Sequence, residues 1–370
     1  MDRQTRHAGL NRPRSSRPTI ADVAERVGVS RAAVSFAVNG RPGVAEETRA
    51  RILRAAEELG WRPSGPARAL THSRAGAVGL VLARQPDQLE VDDFFVRFLA
   101  GVERTLATRE YALVLQVVSP EARSNLDAYR RLITSARVDG MLLTDMVLDD
   151  PRIDLLAESG VPTVIAGRPW ERCPFPVVET EHAHGMAALI EHLIAAGHRS
   201  VAFIGGDPAY EHVAARRWEW MNTMRQAGLE PGLSASVVPE DAAARAATAR
   251  MLQASHRPTA IVYTSDLLAL AGLSVARDLR LAVPGDVSIA GFDDSPLASL
   301  SSPPLTTVRV DHTGFGETAA AMLLAEIDGT PRPPFELAPP QLIVRGSTGP
   351  APKALAQPAG MTTPTHAHRS

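Results

Sequence analysis

The sequence predicts an N-terminal all-α helix-turn-helix headpiece followed by an α/β core of two doubly wound parallel-sheet lobes. Three observations predict it. Residues 18–63 carry three short helical patterns, the first two separated by a tight Gly28-Val29 turn. From Ala77 onward, short apolar runs alternate with helical patterns, as expected for buried parallel strands and their crossover helices. Charge divides along the same line. Residues 1–75 hold fourteen arginines, no lysine and seven Asp or Glu, a net of +7; the whole chain is −2, so residues 76–370 carry −9.

Each headpiece element has a local cause. Thr19 is placed to cap the first helix, with Asp22 answering as a weak capping box. Ala21, Val23, Ala24 and Val27 form its buried face, and Gly28 suits the left-handed position that ends it. Ser30 caps a second helix from Arg31 to Val38, whose Ala33, Val34 and Ala37 face inward before Asn39-Gly40 stops it. Glu46 and Glu47 open a third helix, where negative charge suits the dipole. That helix buries Ile52, Leu53, Ala56 and Leu59 and ends at Gly60. Three such helices leave the second free to enter a major groove, so this end of the chain points to duplex DNA. A basic arm on an acidic body suits phosphate contact by one end only. The plainer alternative is a solvated basic subdomain that meets other proteins.

The core reads as strand and helix in turn. The first unit has strands at 77–82, 112–117, 140–144 and 163–166, with helices at 94–108, 124–135 and 153–159. The second has helices at 185–195, 213–227, 243–254 and 266–278, with strands at 200–204, 236–239, 260–264 and 287–291. Ligands of such sheets bind beyond the carboxyl ends of the strands, here in a cleft between lobes.

Composition sets bounds. The lone cysteine, Cys173, excludes an intrachain disulfide and makes the cytoplasm the default compartment. The first 17 residues have no apolar core, and no apolar run approaches the roughly 20 residues of a membrane span. Residues 1–17 are expected to be a disordered basic arm and residues 348–370 a disordered Pro/Ala-rich tail. There is no Walker A sequence, no G-x-S-x-G and no cysteine–histidine motif; Gly205-Gly206 is a weak phosphate-loop candidate without a following G-x-G-x-x-G. No enzyme, cofactor or metal site is expected. His182 and His184 lie close together but lack a third ligand.

The motifs Thr19-Ile20-Ala21-Asp22-Val23-Ala24, Gly28-Val29-Ser30 and Val34-Ser35, with Thr48-Arg49 and Leu59-Gly60-Trp61 beyond them, resemble the LacI/GalR family of bacterial transcription regulators. The resemblance continues to about residue 347, through Glu191-His192-Leu193, Gly197-His198-Arg199, Val283-Pro284-Gly285-Asp286 and Pro304-Leu305-Thr306-Thr307. It implies a periplasmic-binding-protein-like core crossed three times by the chain, near Thr180, near 303–309 and near 332–336. The implied domains are a headpiece at 18–63, a hinge helix and linker at 64–75, and an effector-binding and dimerisation domain at 76–347. The N-lobe would comprise about 76–180 and 309–332, the C-lobe about 181–303 and 336–347.

The resemblance also implies a sequence-specific regulator, most simply a repressor that binds a pseudo-palindromic operator as a homodimer and answers to a sugar or sugar derivative. The alternatives are an activator or global dual regulator with a protein co-effector and, from another class, a solute-binding receptor with a vestigial headpiece. The implied DNA contacts are Thr19, Ser30, Arg31, Ala32, Ser35, Phe36, Asn39, Ala67, Arg68 and Leu70, with Arg31 the best candidate for a base contact and Leu70 the wedge into the minor groove. Phe36 stands where many members carry arginine, Ala45 where a capping serine is usual, and Gly65-Pro66 opens the hinge. The implied effector contacts are Phe95, Asp145, Glu181, Arg216, Trp220, Ser265 and Asp293. Each has a structural alternative: Arg216 pairing with Glu219 or Glu211 on a helix surface, Asp293 and Asp294 capping the next segment, Trp220 packing in the core.

Overall fold

The computed structural model describes residues 18–38, 40–61, 74–84, 93–119, 126–237 and 241–352. The expectations for the arm at 1–17, Asn39, the hinge with Ala67, Arg68 and Leu70, and the tail beyond Pro352 lie outside the described residues.

The headpiece has helices α1 (Ile20–Val27), α2 (Arg31–Val38) and α3 (Glu46–Glu58). The Asp22 carboxylate accepts from the Thr19 N–H at 2.7 Å and from its hydroxyl at 2.8 Å. Gly28, at φ 74°, ends α1 in the left-handed region that costs a Cβ-bearing residue most. Ser30 Oγ accepts from the Ala33 N–H at 3.1 Å at the start of α2. Val23, Ala24, Val34, Ala37, Ile52, Ala55 and Ala56 form the core. Leu53 was expected inside but is 46% exposed. It lies one residue, about 100° of helix, beyond buried Ile52, and Ala55 takes the inward position instead. Arg49 closes the back of α2 by donating to the carbonyls of Ala37 (3.0 Å) and Arg41 (2.8 Å).

The core begins at Ala77. Its N-lobe contains β1 (Ala77–Ala83), α4 (Asp93–Ala107), β2 (Ala112–Val118), α5 (Asp127–Thr134), β3 (Gly140–Leu143), α6 (Pro151–Ser159), β4 (Thr163–Ala166) and β5 (Val177–Val178). All strands are parallel, in the order β2-β1-β3-β4-β5. The C-lobe contains α7 (His182–Ala195), β6 (Val201–Gly205), α8 (Glu211–Gln226), β7 (Ser234–Ser236), α9 (Asp241–Leu252), β8 (Ala260–Tyr263), α10 (Asp266–Asp278), β9 (Ser288–Ala290) and the short α11 (Pro296–Leu300). Its sheet is parallel, in the order β7-β6-β8-β9. Three further elements follow: β10 (Thr307–Arg309), α12 (His312–Asp328) and β11 (Gln341–Ile343).

Alternation along the strands builds the layers. Val78, Leu80 and Leu82 face Phe95, Phe98 and Val102 of α4 and Phe315, Ala319 and Leu323 of α12. Helices α4 and α12 meet backbone to backbone: a Cβ on Gly101 would strike the Thr313 carbonyl, and one on Gly316 the Phe98 carbonyl. In the C-lobe, Ala202, Ile204, Ile261 and Tyr263 pack under α9 and α10, while Val201, Phe203, Ala260 and Val262 pack under α7 and α8.

Two expected crossings move. The second was placed at 303–309, but β10 pairs antiparallel with β11 and bridges Asp293 to Arg309, and Val308 and Val310 are buried in the C-lobe. The chain therefore leaves the C-lobe only after Val310. The third was placed at 332–336, but Leu337 still packs on the N-lobe core and the C-lobe resumes at β11. The expected disordered tail also begins too early. Ser347 is fully buried, the Gly349 N–H donates to Ser288 Oγ at 3.2 Å and Ala351 N–H to the Ala196 carbonyl at 2.9 Å. These backbone bonds hold residues 347–351 on the C-lobe. No helix among the described residues is long and apolar enough to cross a membrane.

Candidate functional site

Between the two lobes lies a cavity of about 790 Å³. Its walls come from chain segments that follow strand ends: Arg84 after β1, Asp145 after β3, Arg168 after β4, Glu179 after β5, Gly206 and Asp207 after β6, Thr264 and Ser265 after β8, and Asp293 after β9. The starts of α4, α7 and α8 add Phe94, Phe95, His182, Tyr210, His212 and Arg216. This is where open parallel sheets place ligands.

Arg216 is the most constrained of these groups. It is 5% exposed and donates to the Thr264 carbonyl at 2.5 Å. It stands 3.2 Å from His182 Nδ1 and 3.5 Å from Asp293 Oδ1. Its Nε is buried without a hydrogen-bond partner. The alternative pairing with Glu219 is not formed; Glu219 accepts from Thr223 and Asn222 instead. Asp293 sits at φ 102°, a strained conformation for a residue with a Cβ. Burial would raise its carboxyl, but Arg216 and His312 prevail and hold it down to about 2. His312 Nε2 lies 3.3 Å away. Asp294 has a structural role, accepting from Arg309 at 2.7 Å and Arg345 at 2.5 Å.

Across the cleft, Arg84 pairs with Asp145 at 2.7 Å, with its guanidinium 5.1 Å from the Phe95 ring centroid and 5.5 Å from that of Tyr210. The segment carrying Asp145 is held by Arg152, which donates to the Asp145 carbonyl at 2.9 Å and grips buried Asp150 at 2.8 and 2.5 Å. The same segment joins the lobes: Val147 bridges Tyr210, and the Glu211 N–H donates to the Met146 carbonyl at 2.9 Å. Arg97 of α4 adds a bond to the Asp294 carbonyl at 3.0 Å.

Two cleft histidines, His182 and His212, are biased toward the neutral form. Burial, then Arg216, pushes His212 down to about 4 and lowers His182 well below its ordinary value. Behind the wall, burial pushes the Asp266 carboxyl up to about 7, although Thr307 (2.5 Å) and the Ser295 N–H (2.6 Å) donate to it.

The structure therefore brings together Phe95, Asp145, Glu181, Arg216, Ser265 and Asp293 around one cavity. Glu181 lines its exposed mouth and pairs with His184 at 2.7 Å. Ser265 lines it too, while its Oγ accepts from the Leu268 N–H at 3.4 Å as the cap of α10. Trp220 does not belong. It is 1% exposed and stacks on Phe203 in the C-lobe core, ring centroids 5.3 Å apart. One turn beyond Arg216 on α8, the helix has already passed from the cleft into the core. Sequence reasoning missed Arg84, Tyr210, His212 and His312, and placed His182 only as a doubtful metal ligand. Position after a strand end was a usable signal for Arg84; the others converge from separate elements.

In the headpiece, Arg31, Ala32, Ser35 and Phe36 share one face of α2, opposite buried Val34 and Ala37. Arg31, Ala32 and Phe36 are exposed. Thr19 and Ser30 are exposed as well, and their side chains are engaged in the caps described above.

Both parts of the chain are similar to known proteins. Residues 19–64 match the family of bacterial regulatory proteins of the lacI type, and residues 190–348 a periplasmic-binding-protein-like domain. The HTH-type transcriptional regulator MalR of Streptomyces coelicolor is 32% identical over 354 residues, covering 92% of this chain and 99% of the relative. A solved complex of the transcriptional regulator CelR with cellobiose is 31% identical at a TM-score of 0.67, covering 90% of this chain and 100% of that one. The lac repressor dimer bound to operator and an anti-inducer is 25% identical at a TM-score of 0.78, covering 90% and 99%.

Proposed function

The chain belongs to the LacI family of bacterial regulatory proteins and is a DNA-binding transcriptional regulator, and from that premise we propose that it represses its targets as a homodimer on a pseudo-palindromic operator, under control of a small carbohydrate held in the interlobe cleft. The observation that carries this reading is the presence in one chain of an exposed α2 face and a cleft at strand ends floored by Arg216 and Asp293. Arg31 on that face carries the forked donors that suit guanine, and Phe36 suits a thymine methyl. Arg216, Asp293, Asp145 and Glu181 offer the paired donors and acceptors that ring hydroxyls require, and Phe95 an aromatic face. The CelR neighbour, solved with cellobiose, supports a sugar.

The mechanism is linkage. A ligand that favours one lobe orientation shifts the N-lobes of the dimer, and with them the spacing of the two headpieces. Selection from random duplex DNA, followed by gel shift with and without sugars, tests the reading. An enriched palindrome whose binding responds to a sugar is expected; enrichment of no palindrome would defeat it. Sedimentation with the selected duplex should give two chains per site, and four chains on two duplexes would sink the dimer.

A further inference from the structure

We propose that the interlobe cleft selects an uncharged, polyhydroxylated ligand longer than one sugar ring and discriminates against phosphorylated and carboxylated counterparts. This rests on the sugar reading above and adds charge and length to it.

Among the described residues that line the cleft are three arginines and six carboxylates. Two of the arginines are already neutralised within their own lobe: Arg84 by Asp145 at 2.7 Å, Arg216 by Asp293 at 3.5 Å. The third, Arg168, lines the same wall as Glu179 and Glu211, and its charge acts on the Glu211 carboxyl. Glu181 and Asp207 complete the set. The two histidines at the floor, His182 and His212, stay uncharged at neutral pH because burial and Arg216 oppose their protonation. An anion entering this cleft gives up its hydration and meets two arginines already paired with carboxylates, in a lining where carboxylates outnumber arginines six to three.

Hydroxyls fare differently. Each Arg–Asp pair sets donors beside an acceptor, which matches a hydroxyl that both gives and accepts a hydrogen bond. The size argument is independent. At about 790 Å³ the cavity lies in the upper part of the roughly 300–1,000 Å³ range of ligand clefts. Phe95, Met146, Tyr210, Val213 and Leu268 border it from both lobes, offering apolar surface to more than one ring.

The test is calorimetric titration of the full chain with neutral disaccharides of gluco, galacto and manno configuration. Each is paired with its aldonic acid, and glucose and glucose 6-phosphate are run beside them. A neutral disaccharide should bind at least about tenfold more tightly than its acid and than either glucose compound. An acid or phosphate that binds as tightly as its neutral counterpart would overturn the proposal while leaving the sugar reading standing. Binding of none of the sugars would defeat the sugar reading and this proposal with it. Asp293→Asn leaves the Arg216 charge unbalanced, so the ratio of acid to neutral affinity should move toward the acid by about tenfold. An unchanged ratio in a variant with the wild-type melting profile would overturn the assignment of selectivity to neutralised arginines.

Discussion

The Arg216 guanidinium lies over the Phe292 ring, 3.8 Å from its centroid, while its ends reach Thr264 and Asp293. A planar cation fits this position in a way an ammonium does not, because stacking and forked donation are used together. Arg216→Lys should therefore weaken sugar binding by roughly 10- to 100-fold, the cost of losing hydrogen bonds to a charged group. Operator affinity without sugar should stay within about threefold, since the headpiece is untouched. Gel shift with and without ligand checks both.

Trp220 is expected to matter for stability and not for ligand contact. Trp220→Ala empties a packed position against Phe203 and should cost about 3–5 kcal/mol, read as a lowered melting temperature. Trp220→Phe should keep the sugar response; loss of that response in a folded variant would return Trp220 to the cleft.

Arg152 holds buried Asp150 and the Asp145 carbonyl at once. Arg152→Met leaves the Asp150 charge buried and uncompensated, a loss of about 3–5 kcal/mol. Urea unfolding should show it. Asp150→Asn in the same background should recover part of the loss, because the unpaired charge is then gone.

Protonation of His212 couples stability to pH. Its folded value, about 4, lies below the ordinary 6.5, so the unfolded chain takes up the proton first. Its contribution to stability is complete above about 6.5 and is lost as pH falls toward 4. Asp266, pushed up to about 7, acts with the opposite sign over much of the same range. The decisive measurement is thus a difference: the melting temperature of wild type minus that of His212→Asn should fall between pH 6.5 and 4. A constant difference would exclude the effect.

Ala45 occupies the N-cap of α3 with extended backbone and no side-chain bond to the helix. Ala45→Ser should stabilise the headpiece by about 0.5–1 kcal/mol, seen as a raised melting temperature of that unit.

The strands were legible because central parallel strands must be apolar on both faces; Ala77–Leu82 reads as nothing else once a helix pattern follows it. The helix α12 was not assigned as a helix. It is apolar nearly all round, and Gly314 and Gly316 argue locally against a helix, whereas tertiary contact with α4 is what requires Gly316. The second crossing was misplaced for a related reason: Val308 and Val310 are a short run whose owner is decided by pairing with β11 and not by composition. Within the cleft, residues next to strand ends could be anticipated. His182, His212 and His312 could not, since three elements far apart in sequence bring them to Arg216 and Asp293.

The N-lobe is closed by a helix that the chain reaches only after the whole first run of the C-lobe. The sheet made by residues 77–178 has Val78, Leu80 and Leu82 facing a layer whose second member, α12, ends at Asp328. On the ribosome, then, the segment nearest the DNA-binding end is synthesised early and completed late. A chain ended anywhere before Asp328 has a headpiece attached to an unsealed lobe. Such a fragment carries the headpiece without the completed lobe, and it leaves the apolar face of Val78, Leu80 and Leu82 short of half its cover. The interleaved order of the chain thus makes the N-lobe core depend on a segment made after most of the C-lobe.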